Sequence, residues 1–164
     1  MNREILFKAK LKDWKTNPEH NRWIEGFYLN RKETTYCFKD DYEKYPVKTL
    51  YFIAEEHMTD WGLPNTFGLY EIDPDTLCQY TGIDDKKDNK IWENDIVKAY
   101  NDVYTVKWNE LSFRYELKRD GFDCELGHFF DDELKVIGNI FENKEILKGC
   151  EENDKSGSKR IYKW

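Results

Sequence analysis

Long apolar runs are missing from this chain of 164 residues. No stretch approaches the ~18 apolar residues of a membrane-spanning helix, and the opening MNREILFKAK lacks the apolar centre of a secretory signal. We therefore expect a soluble, cytoplasmic protein with no membrane role. Paired cysteines are missing too. Cys37, Cys78, Cys124 and Cys150 lie far apart and form no C-x-x-C, which removes zinc-knuckle and thioredoxin-type chemistry and leaves them as reduced, packed thiols. Serine occurs only at Ser112, Ser156 and Ser158, none in a nucleophile elbow. Neither a P-loop nor G-x-G-x-x-G is present. These gaps lead us to expect no enzymatic site, no cofactor and no metal.

Charge and rings are abundant instead. Charged residues make up 36% of the chain and aromatics 16%. The first figure exceeds the ~25% of an ordinary domain and would fit disorder, but disordered chains are poor in aromatics. A chain rich in both folds around large rings beneath a charged skin. Acids outnumber bases 33 to 26, for a net charge of −7. The last ten residues hold Lys155, Lys159, Arg160 and Lys163 and no acid, so the body is more acidic than that figure. Such a body repels phosphate backbones, and nucleic-acid binding over its surface is disfavoured.

Hydrophobic periodicity is mostly two. In Leu111–Lys118, Leu111, Phe113, Tyr115 and Leu117 alternate with Ser112, Arg114, Glu116 and Lys118, the pattern of a half-buried strand. Val103–Trp108 precedes it across a turn at Asn109-Glu110, and Asp95–Tyr100 comes earlier across Asn101-Asp102, which predicts a three-stranded meander. Leu134–Phe141 offers another strand, with Gly138 marking a bulge or close approach. Upstream, Glu4–Leu11, Thr49–Ala54, Thr66–Ile72 and Leu77–Thr81 read as strands. Trp23–Leu29 and Thr34–Phe38 read as a hairpin about Asn30-Arg31-Lys32-Glu33. Helix is confined to Asp40–Tyr45 and to Asn143–Lys148, where Asn143 is the expected cap. The expected fold is mainly β: an irregular N-terminal β region over residues 1–82, a small barrel over 83–148 built chiefly from the strands between Asp95 and Phe141, and a flexible basic tail over 149–164.

Two stretches are more specific than periodicity. One runs Gln79-Tyr80-Thr81-Gly82, then Asp85-Lys86, then Ile91-Trp92-Glu93-Asn94-Asp95-Ile96-Val97; the other is Val136-Ile137-Gly138-Asn139-Ile140-Phe141-Glu142-Asn143. Together with the opening Arg3-Glu4-Ile5-Leu6-Phe7-Lys8-Ala9, they resemble in order and spacing the signature of the YopX family of phage and prophage proteins, over about residues 1–148. Where that family has an Asn-Gly turn, this chain has Lys87-Asp88, so we expect Asp88-Asn89 to supply the positive φ. Asn94 replaces a glycine at a second such position. The resemblance implies a β-rich protein with an SH3-like C-terminal barrel, encoded by a phage or integrated element and working in the bacterial cytoplasm. It implies no activity.

Several constellations invite a chemical reading. Asp84–Asp95 is acid-rich, but Lys86 and Asn89 occupy positions that a calcium loop gives to an acid and a glycine, so a solvated turn is the better account. The adjacent acids Asp40-Asp41, Glu55-Glu56 and Asp131-Asp132-Glu133 point to opposite faces if extended and read as solvated surface. Cys124 and His128 with the following acids have the residue types of a thiol nucleophile, but proximity in sequence does not make such a site. His20 and His57 stand alone.

The rings are the stronger candidates. Trp92, Tyr100, Tyr104 and Trp108 crowd the entry and first hairpin of the expected barrel, where small barrels display rings to peptides or nucleic acid. Burial in the core is the competing account for each. Arg160, Tyr162 and Trp164 form a candidate docking tail, set against a frayed terminus. We expect a non-enzymatic protein that binds or assembles with a protein partner or small ligand. The alternatives are a nucleic-acid-binding barrel and an acidic nucleic-acid mimic that blocks a host protein. Open strand edges and the aromatic excess lead us also to expect a homo-oligomer.

Overall fold

Alternation along short strands builds two separate apolar cores. The computed structural model describes residues 4–119, 122–129 and 133–147, and the chain divides into two compact units, Met1–Tyr80 and Thr81–Trp164. The fold is mainly β, with antiparallel sheets and few helical turns. Among the described residues, no helix is long and apolar enough to cross a membrane.

In the first unit, β1 (Phe7–Lys10), β2 (Trp23–Lys32), β3 (Thr49–His57) and β4 (Thr66–Glu71) form an antiparallel sheet in the order β4-β3-β2-β1. The opening of β5 (Cys78–Asp84) pairs with β1. Ala9, Ile24, Ile53 and Ile72 are its buried centre, flanked by Tyr28, Tyr51 and Tyr70. A single bridge, Leu11 to Ile72, ties the chain after β1 to the chain after β4. The hairpin expected between Trp23–Leu29 and Thr34–Phe38 does not form. β2 instead runs straight through Asn30-Arg31-Lys32 and pairs with β3, Phe27 opposite Ala54 and Lys32 opposite Thr49. The polar residues that read as a turn are the solvent-exposed end of a long strand. The connection after them holds the short helix α1 (Lys39–Lys44), with Tyr36 packed edge-on against Tyr42.

In the second unit, the end of β5 lies beside β6 (Lys90–Trp92). A five-stranded sheet follows: β7 (Asp95–Ala99), β8 (Asp102–Asn109), β9 (Arg114–Arg119), β10 (Phe122–Glu125) and β11 (Leu134–Asn139), ordered β10-β9-β8-β7-β11. The expected meander is β7-β8-β9. Val106 and Leu117 face each other across β8 and β9 and are fully buried; such burial is worth ~1.5–3 kcal/mol for each side chain. Among the described residues the sheet does not close into a barrel. β10 and β11 remain its edges, with a 3-10 turn at Leu126–His128 between them. The predicted strand Leu111–Lys118 begins only at Arg114. β8 and β9 pair as far as Asn109 opposite Arg114, so residues 110–113 are a four-residue loop and not part of the strand.

Candidate binding surface

The loop of the β8–β9 hairpin is held from below by one carboxylate. Glu116, two residues into the pairing, is nearly buried. It accepts hydrogen bonds from Asn109 Nδ2 at 2.8 Å, Ser112 Oγ at 3.1 Å and Arg114 Nε at 3.1 Å. Lys118 Nζ lies 3.5 Å away. The Asn109 hydrogen bond does most to hold the Glu116 carboxyl down at about 2, against the desolvation that opposes ionisation. Asn109 also faces the loop, where its Oδ1 accepts from the backbone N–H of Leu111 and of Ser112 in an Asx turn. Arg114 continues outward to Glu125.

What this network holds up is apolar. Leu111 is 93% exposed and Phe113 78% exposed, because Tyr115 and Leu117 already fill the inward positions of β9. Phe113 has φ +53°, a left-handed conformation that costs a bulky L-residue ~1–2 kcal/mol. Trp108, also exposed, stands at the base of the loop with its ring edge-on to Tyr115 at 5.0 Å.

The four rings expected to make a binding surface do not come together. Trp92 and Tyr104 are buried. Trp92 is in β6, its backbone N–H donating to Asp95, and Tyr104 packs against Phe122 and Phe129. Tyr100 is exposed, but it turns the chain between β7 and β8 at φ +53° and its hydroxyl donates to Glu133. That places it at the opposite end of β8 from Trp108. Trp108 alone belongs to the apolar loop. Leu111 and Phe113 were hidden by the sequence pattern, since their period of two runs unbroken into the strand. Asn109, an Asx-turn residue, was the available signal. Arg160, Tyr162 and Trp164 lie outside the described residues.

The most specific motifs prove to be architecture. Asp85 is buried and accepts the backbone N–H groups of Lys87, Asn89 and Val136. Its burial works against ionisation, but these hydrogen bonds outweigh it and hold the carboxyl below its ordinary value. Asp88 and Asn94 take φ +62° and +68°, the two positive-φ positions anticipated above. Asn139 Oδ1 accepts from the N–H of Phe141 and Glu142, and Asn143 Oδ1 accepts from that of Asn139. Asn143 stands just before the helical turn at 144–147, where its carbonyl accepts from the N–H of Ile146, while its side chain turns back toward β11. A Cβ on Gly138 would meet Asn143 Oδ1 at 2.5 Å, and β11 shifts register there against β7. These polar side chains are spent on backbone groups.

The remaining constellations are poor in chemistry. Cys124 Sγ is 4.0 Å from His128 Nδ1, but desolvation and then the neighbouring Glu125 push the thiol pKa up, so the nucleophilic thiolate is disfavoured. Among the described residues, no three His, Cys, Asp or Glu side chains are placed to hold a metal ion. An open pocket of about 520 Å³ in the first unit is bordered by Lys12, Glu19, His20, Arg22, Tyr70 and Glu71, among others. Lys12 is already paired with Glu71 at 2.7 Å.

A protein-family model described as "YopX protein" matches residues 14–148. Among solved structures, the chain is similar to protein EF1440 from Enterococcus faecalis, with a TM-score of 0.46 and 20% identity over 89% of this chain and 99% of that one. No curated protein sequence matches it.

Proposed function

Starting from the fact that the chain belongs to the YopX protein family, we propose that it is a non-enzymatic binding protein that docks its β8–β9 loop into an apolar cleft on a protein partner. The carrying observation is the pinned loop that exposes Leu111 and Phe113. Burying two such side chains yields ~1.5–3 kcal/mol each. A loop already held in one conformation gives up less entropy on binding than a free one. The acidic net charge of −7 favours a protein over a phosphate backbone as the partner.

The same proposal places the protein in the bacterial cytoplasm, encoded by a phage or prophage, as the motif resemblance implies. It also reads the second unit as an opened relative of an SH3-like barrel. Support comes from the sheet order, with β11 beside β7, the meander β7-β8-β9-β10, and a 3-10 turn between the last two strands.

The test is affinity capture from host lysate with the wild-type chain and with a Leu111→Ser, Phe113→Ser double variant as paired baits. Wild type is expected to retain a stoichiometric protein that the variant loses, with both baits equally folded by circular dichroism. Retention of the same protein by both, or by neither, overturns the reading.

A further inference from the structure

One edge of the first sheet is open. β4 is the end strand of the order β4-β3-β2-β1, and just beyond it Ile72 N donates to Tyr51 O at 3.0 Å. In an antiparallel ladder, alternate pairs exchange hydrogen bonds. Continued by the register, the exchanging pairs are Ile53 with Tyr70, Glu55 with Gly68 and His57 with Thr66. The backbone N–H and C=O groups of Phe67, Leu69 and Glu71 therefore point away from β3. Glu71 O accepts from Lys12 N at 3.1 Å. Among the described residues, nothing bonds to the outward groups of Phe67 and Leu69.

Sheet edges are ordinarily blunted by charge, proline or a covering segment. In the second unit, β10 carries Asp123 and Glu125. β11 is covered by Lys86, whose N–H donates to Leu134 O, and by Asp85, which accepts from Val136 N. Thr66–Tyr70 has neither charge nor proline. The opening of about 520 Å³ in the first unit borders Leu69, Tyr70 and Glu71 and leaves room beside them.

Unpaired backbone groups select an extended strand as the occupant, and β4 itself has the matching form. We propose that β4 pairs antiparallel with β4 of a second copy of the chain, about a two-fold axis through Gly68. Phe67 then stands opposite Leu69 of the partner subunit, and Leu69 opposite the partner's Phe67. This register joins all the outward groups of these residues in four hydrogen bonds. The ends of the strand fix it. An axis through Leu69 would bring the partner's Phe67 against Glu71, whose carbonyl Lys12 holds. One through Phe67 would bring the partner's Leu69 against Asn65, which lies outside β4 in the 58–65 loop. The free part of β4 is Thr66–Tyr70, and Gly68 is its middle.

A second copy also agrees in charge and side chain. Glu71 is the one charged residue of Asn65–Glu71. It lies opposite the partner's neutral Asn65, and the two Glu71 side chains fall at opposite ends of the pairing, ~20 Å apart, so like charges do not meet. Phe67 is 60% exposed and Leu69 56%; both project to the same side of the sheet and become cross-strand neighbours. On the other side Thr66 stands opposite the partner's Tyr70, and Gly68 brings no side chain to the axis. The contact uses the same strand from both copies, as a closed two-fold interface requires.

Light scattering and amide hydrogen exchange on the full chain test the pairing. At high micromolar concentration, wild type is expected at twice the 19.9 kDa of one chain. The Phe67 and Leu69 amides should then exchange at least tenfold more slowly than in dilute, monomeric protein. Leu69→Pro removes an outward N–H that the β3 ladder does not use and is expected to give a folded monomer. Phe67→Lys with Leu69→Lys sets like charges opposite each other and should also give a monomer. Phe67→Lys with Leu69→Glu sets opposite charges together and should restore the dimer. A wild-type monomer at high micromolar concentration overturns the proposal. A dimer whose Phe67 and Leu69 amides exchange as in the monomer, or one that survives Leu69→Pro, overturns it equally. So does a lysine–glutamate variant that stays monomeric. Protection of the two amides by another protein, in a chain that stays monomeric, would assign the edge to that protein instead. The Leu111→Ser, Phe113→Ser variant should remain dimeric, so this proposal and the loop-docking reading fail separately.

Discussion

Two hairpin loops present large apolar side chains to solvent, and they are held differently. The loop over residues 58–65, between β3 and β4, exposes Met58, Trp61 and Leu63. The loop over residues 110–113 exposes Leu111 and Phe113. The first is tied by exposed hydrogen bonds, Thr59 Oγ1 to Pro64 O, Asn65 Nδ2 to Glu56 and Leu63 N to Asp60 O. Gly62 sits in it at φ +82° with open space around it. The second is half as long and rests on the nearly buried Glu116 carboxylate, which gathers bonds from both sides of the turn. Exposure alone therefore does not distinguish a docking element from a surface loop; what lies beneath the exposed side chains does.

Removing the support gives the sharpest contrasts. Leu117 lies in the core of the second unit, opposite Val106, and Leu117→Ala is expected to cost ~2–5 kcal/mol in urea unfolding. A cost near that of a surface substitution would mean the site is not packed as described. Glu116→Gln comes next. The Glu116 carboxyl is depressed to about 2 from 4.5, so its stabilising contribution is complete above 4.5 and is lost as pH falls toward 2. Melting temperature followed from pH 7 to pH 2 should fall less steeply in Glu116→Gln than in wild type between pH 4.5 and pH 2. Identical acid limbs would remove Glu116 as the loop's anchor.

Phe113→Gly separates stability from binding. Relief of the left-handed strain should stabilise the protein by about 1 kcal/mol while partner capture is lost, a trade expected where strain serves function. Destabilisation would mean that the ring packs on its own chain. The smallest effect belongs to the other loop. Trp61→Ala should change stability by less than ~0.5 kcal/mol and leave capture by the 110–113 loop intact; loss of capture would move the docking element to the first unit.

Local chemistry was readable along much of the chain. Asp88 and Asn94 were identifiable as left-handed positions because few other side chains tolerate positive φ. Gly138 marked a close approach and a register shift, both present in β11. The meander over residues 95–119 followed from alternation and turn residues. Two features misled for one reason. The alternation of Leu111 and Phe113 continues into β9, and the polar run Asn30–Lys32 continues β2, so in each case the pattern did not show where pairing stops. Pairing is decided by the partner strand: Asn109 opposite Arg114 in one case, Lys32 opposite Thr49 in the other.

Mainly β architecture, the family motifs and the acidic skin were determined by the amino-acid sequence alone, because side-chain period, turn chemistry and charge are properties of neighbouring residues. Tertiary structure decided which large apolar side chains are exposed. Trp92 and Tyr104 entered the interior, while Leu111, Phe113, Phe27 and Phe67 did not. A strand offers two faces and its loop offers neither, and only the fold's filled interior positions determine where each large side chain remains.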